Sequence, residues 1–175
     1  WWMPKFLTEK QVKQYREEGF VSPVCVMDET EALSLRKQIE SFEAAQGKRM
    51  FGIQRTKCSL RFPFIYELAT RKNLLDAIED LLGPNILMYQ CAMWFKEPES
   101  GSYVSWHQDC SYYGMDPLAL VSAWVALSPA TAESGCMQVI PGSHKGGQYP
   151  IEFTEIKEEN LLASGQNTLF EFDPE

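Results

Sequence analysis

The chain has 175 residues, 45% hydrophobic and 23% charged, the balance of one globular domain with a real core and little room for a second. A formal net charge of −8 and a pI near 4.9 argue against nucleic acid or an anionic membrane surface as partner. No apolar run approaches the roughly 18 residues of a membrane span and no charged-then-apolar leader is visible, so a cytoplasmic location is expected. Five scattered cysteines (25, 58, 91, 110, 136) without a CxxC pair fit reduced thiols and argue against a structural zinc site.

Residues 1–7 read as an aromatic leader or a foreign junction. Thr8 is placed to cap a helix through TEKQVKQYREEG, with Val12 and Tyr15 on one face and Gly19 at its end. The following FVSPVCV is strand-like, with Pro23 favouring an edge. Asp28 and Glu31 have capping-box spacing and open a helix of about four turns running to Ala45. Its Ala32, Leu35, Ile39 and Phe42 follow the spacing of a half-buried face. From Gly47 to Phe64 the pattern is irregular, and TKCSLRF fits a short strand or a loop. Residues 65–69 and 73–82 are predicted helices. Leu74, Leu75, Ile78, Leu81 and Leu82 face a core, and Gly83-Pro84 stops the second helix.

After Pro84 the periodicity changes from helical to extended. NILMYQCAMWF predicts a long apolar strand buried on both faces, EPESGS a turn, and YVSWHQD a further strand. LVSAWVAL (120–127) and CMQVI (136–140) add two more, divided by the turn signal ESG. Residues 149–165 are less regular, with a short helix at EIKEENLLA, and 168–172 alternate like a strand. Helices first and antiparallel-type strands afterwards give an α+β class with a strand-rich core.

Both histidines, His107 and His144, fall within residues 105–147, and His107 forms a His-x-Asp pair with Asp109. Three readings compete: an ordinary packed or surface histidine near an Asp, a general acid/base pair, and two ligands of a non-haem Fe(II) site. Side chains two residues apart on an extended segment share a face and suit neighbouring coordination positions. The same arrangement often splays them too far for a direct hydrogen bond.

The wider pattern bears on that choice. GPNI (83–86), Lys96 with Pro98, WHQD (106–109), Trp124-Val125-Ala126-Leu127, ESGCMQVIPGSHK (133–145) and LTEKQVKQYREEGFV together resemble the phytanoyl-CoA dioxygenase family of Fe(II)- and 2-oxoglutarate-dependent oxygenases. The resemblance runs from about Phe6 to at least Lys145 and implies one family domain over residues 1–175. It implies N-terminal helices and a double-stranded β-helix core of the jelly-roll or cupin-like kind. On that resemblance His107 and Asp109 are the first two iron ligands, and Trp124 lines the site beside 2-oxoglutarate. Lys57 helps hold the co-substrate's carboxylate, or is a solvated surface lysine; the match around TKCSL is loose. Ala92 contacts 2-oxoglutarate, and Gln108 braces the ligands from the opposite side. The implied reaction hydroxylates a small organic or acyl substrate with O2 while 2-oxoglutarate goes to succinate and CO2. A carboxylate at position 109, where halogenating members have a small residue, points to hydroxylation. Tyr112, Tyr113, Met115 and Trp94 are candidates for an apolar substrate pocket or for core packing.

In the family the second ligand histidine comes later than the PGSH loop, followed by an arginine that grips the far carboxylate of 2-oxoglutarate. Here no histidine follows His144 and no arginine follows Arg71. His144 is therefore expected to stabilise its loop or to face substrate. The chain is expected to be a carboxy-terminally truncated oxygenase with poor solubility, exposed apolar surface and weak iron affinity. The alternatives are a natural relic, a non-catalytic cupin-like binding module with an incomplete metal site, or an adventitious zinc or nickel site.

Overall fold

A computed structural model describes residues 3–51, 53–114, 119–153, 159–162 and 166–168. Helix α1 (Glu9–Glu18) opens on a complete capping box. Thr8 Oγ1 accepts the Gln11 N–H at 3.2 Å, and the Gln11 side chain accepts the Thr8 N–H at 2.9 Å. Gly19 ends it in the left-handed region (φ 85°), its N–H on the Tyr15 carbonyl. Helix α2 (Glu29–Gln46) runs 18 residues, longer than its spacing predicts, and ends at Gly47. Its cap is half of the expected box: Asp28 accepts the Glu31 N–H at 2.8 Å, while the Glu31 carboxylate is taken by Arg71. Its inner face carries Leu35, Ile39 and, beyond the expected apolar set, Glu43. Glu43 is buried and accepts the Met50 N–H at 2.8 Å and an Arg49 N–H at 2.6 Å.

TKCSLRF resolves into a turn. Short helix α3 (Ile53–Thr56) leads to a 3₁₀ turn at Cys58–Leu60, and α4 (Pro63–Ala69) starts on its proline. Helix α5 (Lys72–Leu82) buries Leu74, Ala77 and Asp80. Leu82, expected in the core, is instead 40% exposed, because the inward stripe ends on Asp80 and Leu81. Asp80 is 2% exposed and accepts the backbone N–H groups of Lys5, Phe6 and Leu7 at 2.7, 2.8 and 2.8 Å. Burial alone pushes this carboxyl up. The three N–H donors and the Lys5 charge outweigh it and hold it below the ordinary 3.8. The N-terminal segment is thereby fastened to α5.

Two apolar clusters result. Leu7, Val12 and Ala77 pack with Val21, Val24 and Leu81. Ile39, Met50, Cys58, Phe62, Ile65 and Met93 form the larger one, joined by Phe42, Phe64, Cys91, Phe95 and Leu127. The Phe42 and Phe62 rings meet edge-on at 4.8 Å.

The second half departs from the predicted strands. Among the described residues only β1 (Ile151–Phe153) and β2 (Gln166–Thr168) are strands, paired antiparallel with Ile151 opposite Thr168 and Phe153 opposite Gln166. The runs at 20–26, 85–95, 103–109, 120–127 and 136–140 are not, apart from a single parallel bridge from Tyr103 to Asn160. A strand exists only with a ladder partner, and an apolar run cannot supply one from within itself. The expectation that 85–95 is buried on both faces is also corrected. Cys91, Met93 and Phe95 meet the larger cluster, whereas Leu87 is 90% exposed and Trp94 46%. From Cys91 to Phe95, with Trp94 turned outward, the alternation is that of a chain with one buried side, whereas Leu87, in step with the buried positions, is exposed because residues 85–90 join neither cluster. The ESG turn is present, with the Gly135 N–H on the Ala132 carbonyl at 3.1 Å. The expected helix at EIKEENLLA falls mostly outside the described residues, and its described part, 159–162, is not helical. Most of the 168–172 strand and Met115 also lie outside them.

Candidate active site

Gln108 is extended (φ −112°, ψ 128°), which turns His107 and Asp109 to one side, and Asp109 then opens a 3₁₀ turn through Tyr112. The turn draws the two side chains closer than a continuous strand would. His107 Nε2 lies 3.2 Å from Asp109 Oδ1, so the direct hydrogen bond that the strand geometry disfavours is made. His107 Nδ1 donates to the Ser105 carbonyl at 2.8 Å. The Ser122 hydroxyl donates to Asp109 Oδ2.

Each group is tuned by these contacts. Burial pulls the His107 pKa down, but the Asp109 hydrogen bond, the Ser105 carbonyl and the Asp109 charge outweigh it, and the imidazole is raised above its ordinary value. The His107 hydrogen bond lowers Asp109 most, burial opposes it, and the Ser122 hydroxyl adds to the lowering. The contact between them thus favours the protonated imidazole and the ionised carboxylate.

Bracing comes from distant segments. Gln108 Nε2 donates to the Gly147 carbonyl at 2.9 Å, and its Oε1 accepts the Tyr149 N–H at 2.8 Å. The Gln148 amide reaches the Ser111 hydroxyl. Asn160 Nδ2 donates to Ser105 Oγ at 3.1 Å, holding the residue whose carbonyl orients His107. The loop that Gln108 grips is seated on the end of α1, through Gly142 N–H to the Glu18 carbonyl at 2.7 Å and His144 Nε2–H to the Arg16 carbonyl at 3.1 Å. This is where the structure places His144, on the last turn of a helix where a donor is favoured.

The remaining predicted residues are placed less directly. Lys57 is exposed, just before the 3₁₀ turn at Cys58. Ala92 is half-buried, and the Cys58 N–H on the Cys91 carbonyl at 3.2 Å sets its segment beside that of Lys57. Trp124 is 48% exposed, two residues beyond Ser122. None of the three joins the His107–Asp109 hydrogen bonds among the described residues. The Tyr113 ring is tilted against Tyr89, 4.4 Å between centroids, and its hydroxyl accepts from Gln90 at 3.2 Å. Sequence reasoning missed Ser105, Ser122 and Asn160. For Ser122 a signal exists, a hydroxyl inside the apolar run LVSAWVAL; for the other two there is none.

The donor set can be tested against a divalent metal. Two ligand atoms about 2.1 Å from one ion at a right angle lie about 3.0 Å apart, close to the 3.2 Å separation of Nε2 and Oδ1. A ligating histidine also gives its other ring N–H to a carbonyl or carboxylate, as His107 does to Ser105. Both residues therefore fit as neighbouring ligands. Among the described residues no group of three or more His, Cys, Asp or Glu side chains could hold an ion.

The model of the phytanoyl-CoA dioxygenase (PhyH) family matches residues 15–166. The chain is 33% identical over 93 residues to the peroxisomal phytanoyl-CoA dioxygenase of Homo sapiens, covering 51% of this chain and 28% of the human one. It is 45% identical over 84 residues to a phytanoyl-CoA dioxygenase of Arabidopsis thaliana, covering 47% and 30%. A probable alpha-ketoglutarate-dependent hypophosphite dioxygenase of Stutzerimonas stutzeri is 32% identical over 99 residues, covering 57% and 34%. The chain spans about a third of the length of the curated relatives it matches. No solved structure matches.

Proposed function

The chain belongs to the phytanoyl-CoA dioxygenase family, and from that premise we propose that it carries the site of an Fe(II)- and 2-oxoglutarate-dependent dioxygenase hydroxylating a small organic or acyl substrate. The supporting observation is the His107–Asp109 pair, 3.2 Å apart and fixed from behind by Ser105 and Ser122. His107 Nε2 and Asp109 Oδ1 would hold the metal in place of the proton they share. A metal held there would supply oxygen activation, the overall reaction then consuming 2-oxoglutarate and O2 and releasing succinate and CO2. Ser105 keeps the His107 ring in the tautomer that presents Nε2, and Ser122 keeps Asp109 turned toward it. Gln108 transmits the position of the 147–149 backbone to both neighbours. Lys57 is proposed to hold a co-substrate carboxylate, with Ala92 and Trp124 lining the same space, and the extended runs to pair as a double-stranded β-helix. The proposed compartment is the cytosol, on five free cysteines; the human relative is peroxisomal by name, and cell fractionation separates the two.

The competing reading is a non-catalytic cupin-like module, favoured by the two-ligand set among the described residues. Anaerobic Fe(II) titration of the chain and of Asp109→Ala decides between a ligand pair and an ordinary ion pair. Losing a mere outer partner weakens metal binding about 10- to 100-fold, and removing Asp109 is expected to do at least that. Equal iron affinity in the two proteins sinks the proposal.

A further inference from the structure

Arg55 on α3 is half-buried, and its guanidinium carbon lies 4.5 Å from the centroid of the Trp94 ring. Burial holds this guanidinium below its ordinary pKa. Three other arginines have carboxylates: Arg49 has Glu43 and Glu97, Arg71 has Glu31, and Arg36 has Glu40. Arg55 has none within ion-pair distance among the described residues. A partly desolvated cation without a counter-ion is unfavourable, and the indole face offsets only part of that.

The charge borders a cavity of about 340 Å³, within the usual range for small-molecule sites. Met50, Phe51, Phe95 and Leu161 give it apolar walls, and Ser102 adds a hydroxyl. Glu97 also lines it, but its carboxylate is bound to Arg49 at 2.8 Å. Ser102 and Leu161 belong to the paired segments around Tyr103, where the Leu161 N–H meets the Tyr103 carbonyl at 2.8 Å. Two residues further on, Ser105 orients His107. One wall of the cavity thus continues into the bracing of the candidate site.

We propose that this cavity binds an organic carboxylate, Arg55 pairing with the charged end while the apolar walls cover a hydrocarbon chain. The proposal concerns binding and stands without the metal chemistry, so its failure and that of the dioxygenase reading are separable. The carboxylate is that of an acyl chain, and 2-oxoglutarate, short and doubly charged, is the contrasting acid.

Isothermal titration of the metal-free chain with octanoate, 1-octanol and 2-oxoglutarate tests it. Octanoate is expected to bind at least about tenfold tighter than octanol, the effect of one charge-assisted contact. Arg55→Met is expected to remove that preference, and Arg55→Lys to keep part of it, since the charge survives without the planar fork. Octanoate binding tighter than 2-oxoglutarate supports the acyl-carboxylate site; 2-oxoglutarate binding tighter than octanoate overturns it. Octanol binding as well as octanoate, neither acid binding, or an unaltered preference in Arg55→Met overturns it. If Arg55→Met does not fold, the acid-versus-alcohol comparison on the unaltered chain decides alone.

Discussion

Residues 3–83 and the described residues after them satisfy their backbone polar groups in opposite ways. The first stretch does so locally: five helices hold most of their hydrogen bonds within a turn, and caps such as Thr8 and Asp28 take up the ends. The second is extended chain with three paired residues on each of two strands, and it leaves Leu87, Tyr89, Trp94, Trp124, Met137 and Val139 exposed. The candidate site lies in this second stretch. Its contacts span 13 residues from Ser122 to Asp109, 39 from Gln108 to Gly147 and 55 from Ser105 to Asn160. The helical stretch therefore pairs its backbone mostly within itself, though its larger core takes in Met93 from the second stretch, whereas the site depends on contacts far apart in the chain.

The largest effect that would break this contrast is expected at Asp80. Replacing it with Ala leaves the Lys5, Phe6 and Leu7 N–H groups without their acceptor and is expected to cost about 3 kcal/mol in urea unfolding near neutral pH. The pH dependence follows from the lowered carboxyl. Its contribution is complete above the ordinary 3.8 and is lost as pH falls through the lower folded value, so the gap between the two proteins narrows in acid. A change within about 0.5 kcal/mol at neutral pH would mean that the N-terminal segment is not fastened there.

A smaller effect sharpens the junction between the two stretches. Gly19 (φ +85°) and Gly47 (φ +68°) both end helices in the left-handed region. An added Cβ at Gly47 meets nothing within 4 Å, whereas at Gly19 it would lie 2.4 Å from His144 Nδ1. Gly47→Ala is expected to cost about 1 kcal/mol, for conformation alone. Gly19→Ala is expected to cost about 2 kcal/mol, because His144 must also leave the Arg16 carbonyl. In a His144→Ala background the excess should vanish. An excess that persists there would detach the loop gripped by Gln108 from α1.

How much of this was legible in the residues follows the same division. Thr8, Gly19 and Gly83 signal helix ends by their own chemistry, and α1, α4 and α5 lie within two residues of their predicted places, α4 starting earlier, on Pro63. Periodicity assigns Leu82 to the core because it cannot see that Asp80, a buried carboxylate, finds its donors more than 70 residues away. His107 and Asp109 were legible as a pair from spacing. Their hydrogen bond was not, since it depends on the 3₁₀ turn that starts at Asp109. Ser105, Ser122 and Asn160 were invisible for the reason that the strands were: their partners are set by tertiary contacts.

The smallest expected effect concerns two helix starts with identical spacing. Thr8-x-x-Gln11 and Asp28-x-x-Glu31 share one spacing, and the box expected at the second closes only at the first. Gln11 returns to the Thr8 N–H, while Glu31 leaves the helix for Arg71, which also donates to the Val26 carbonyl at 2.9 Å. Gln11→Ala is therefore expected to cost a few tenths of a kcal/mol, about as much in low salt as near 1 M NaCl, because a neutral amide is lost. Glu31→Gln removes a charge from an ion pair open to solvent, so its destabilisation should shrink as salt rises. Urea unfolding of both variants at two salt concentrations separates these cases. The same salt response in both would mean that Glu31 acts as a local cap after all, and the tie between α2 and the start of α5 would lose its ionic character.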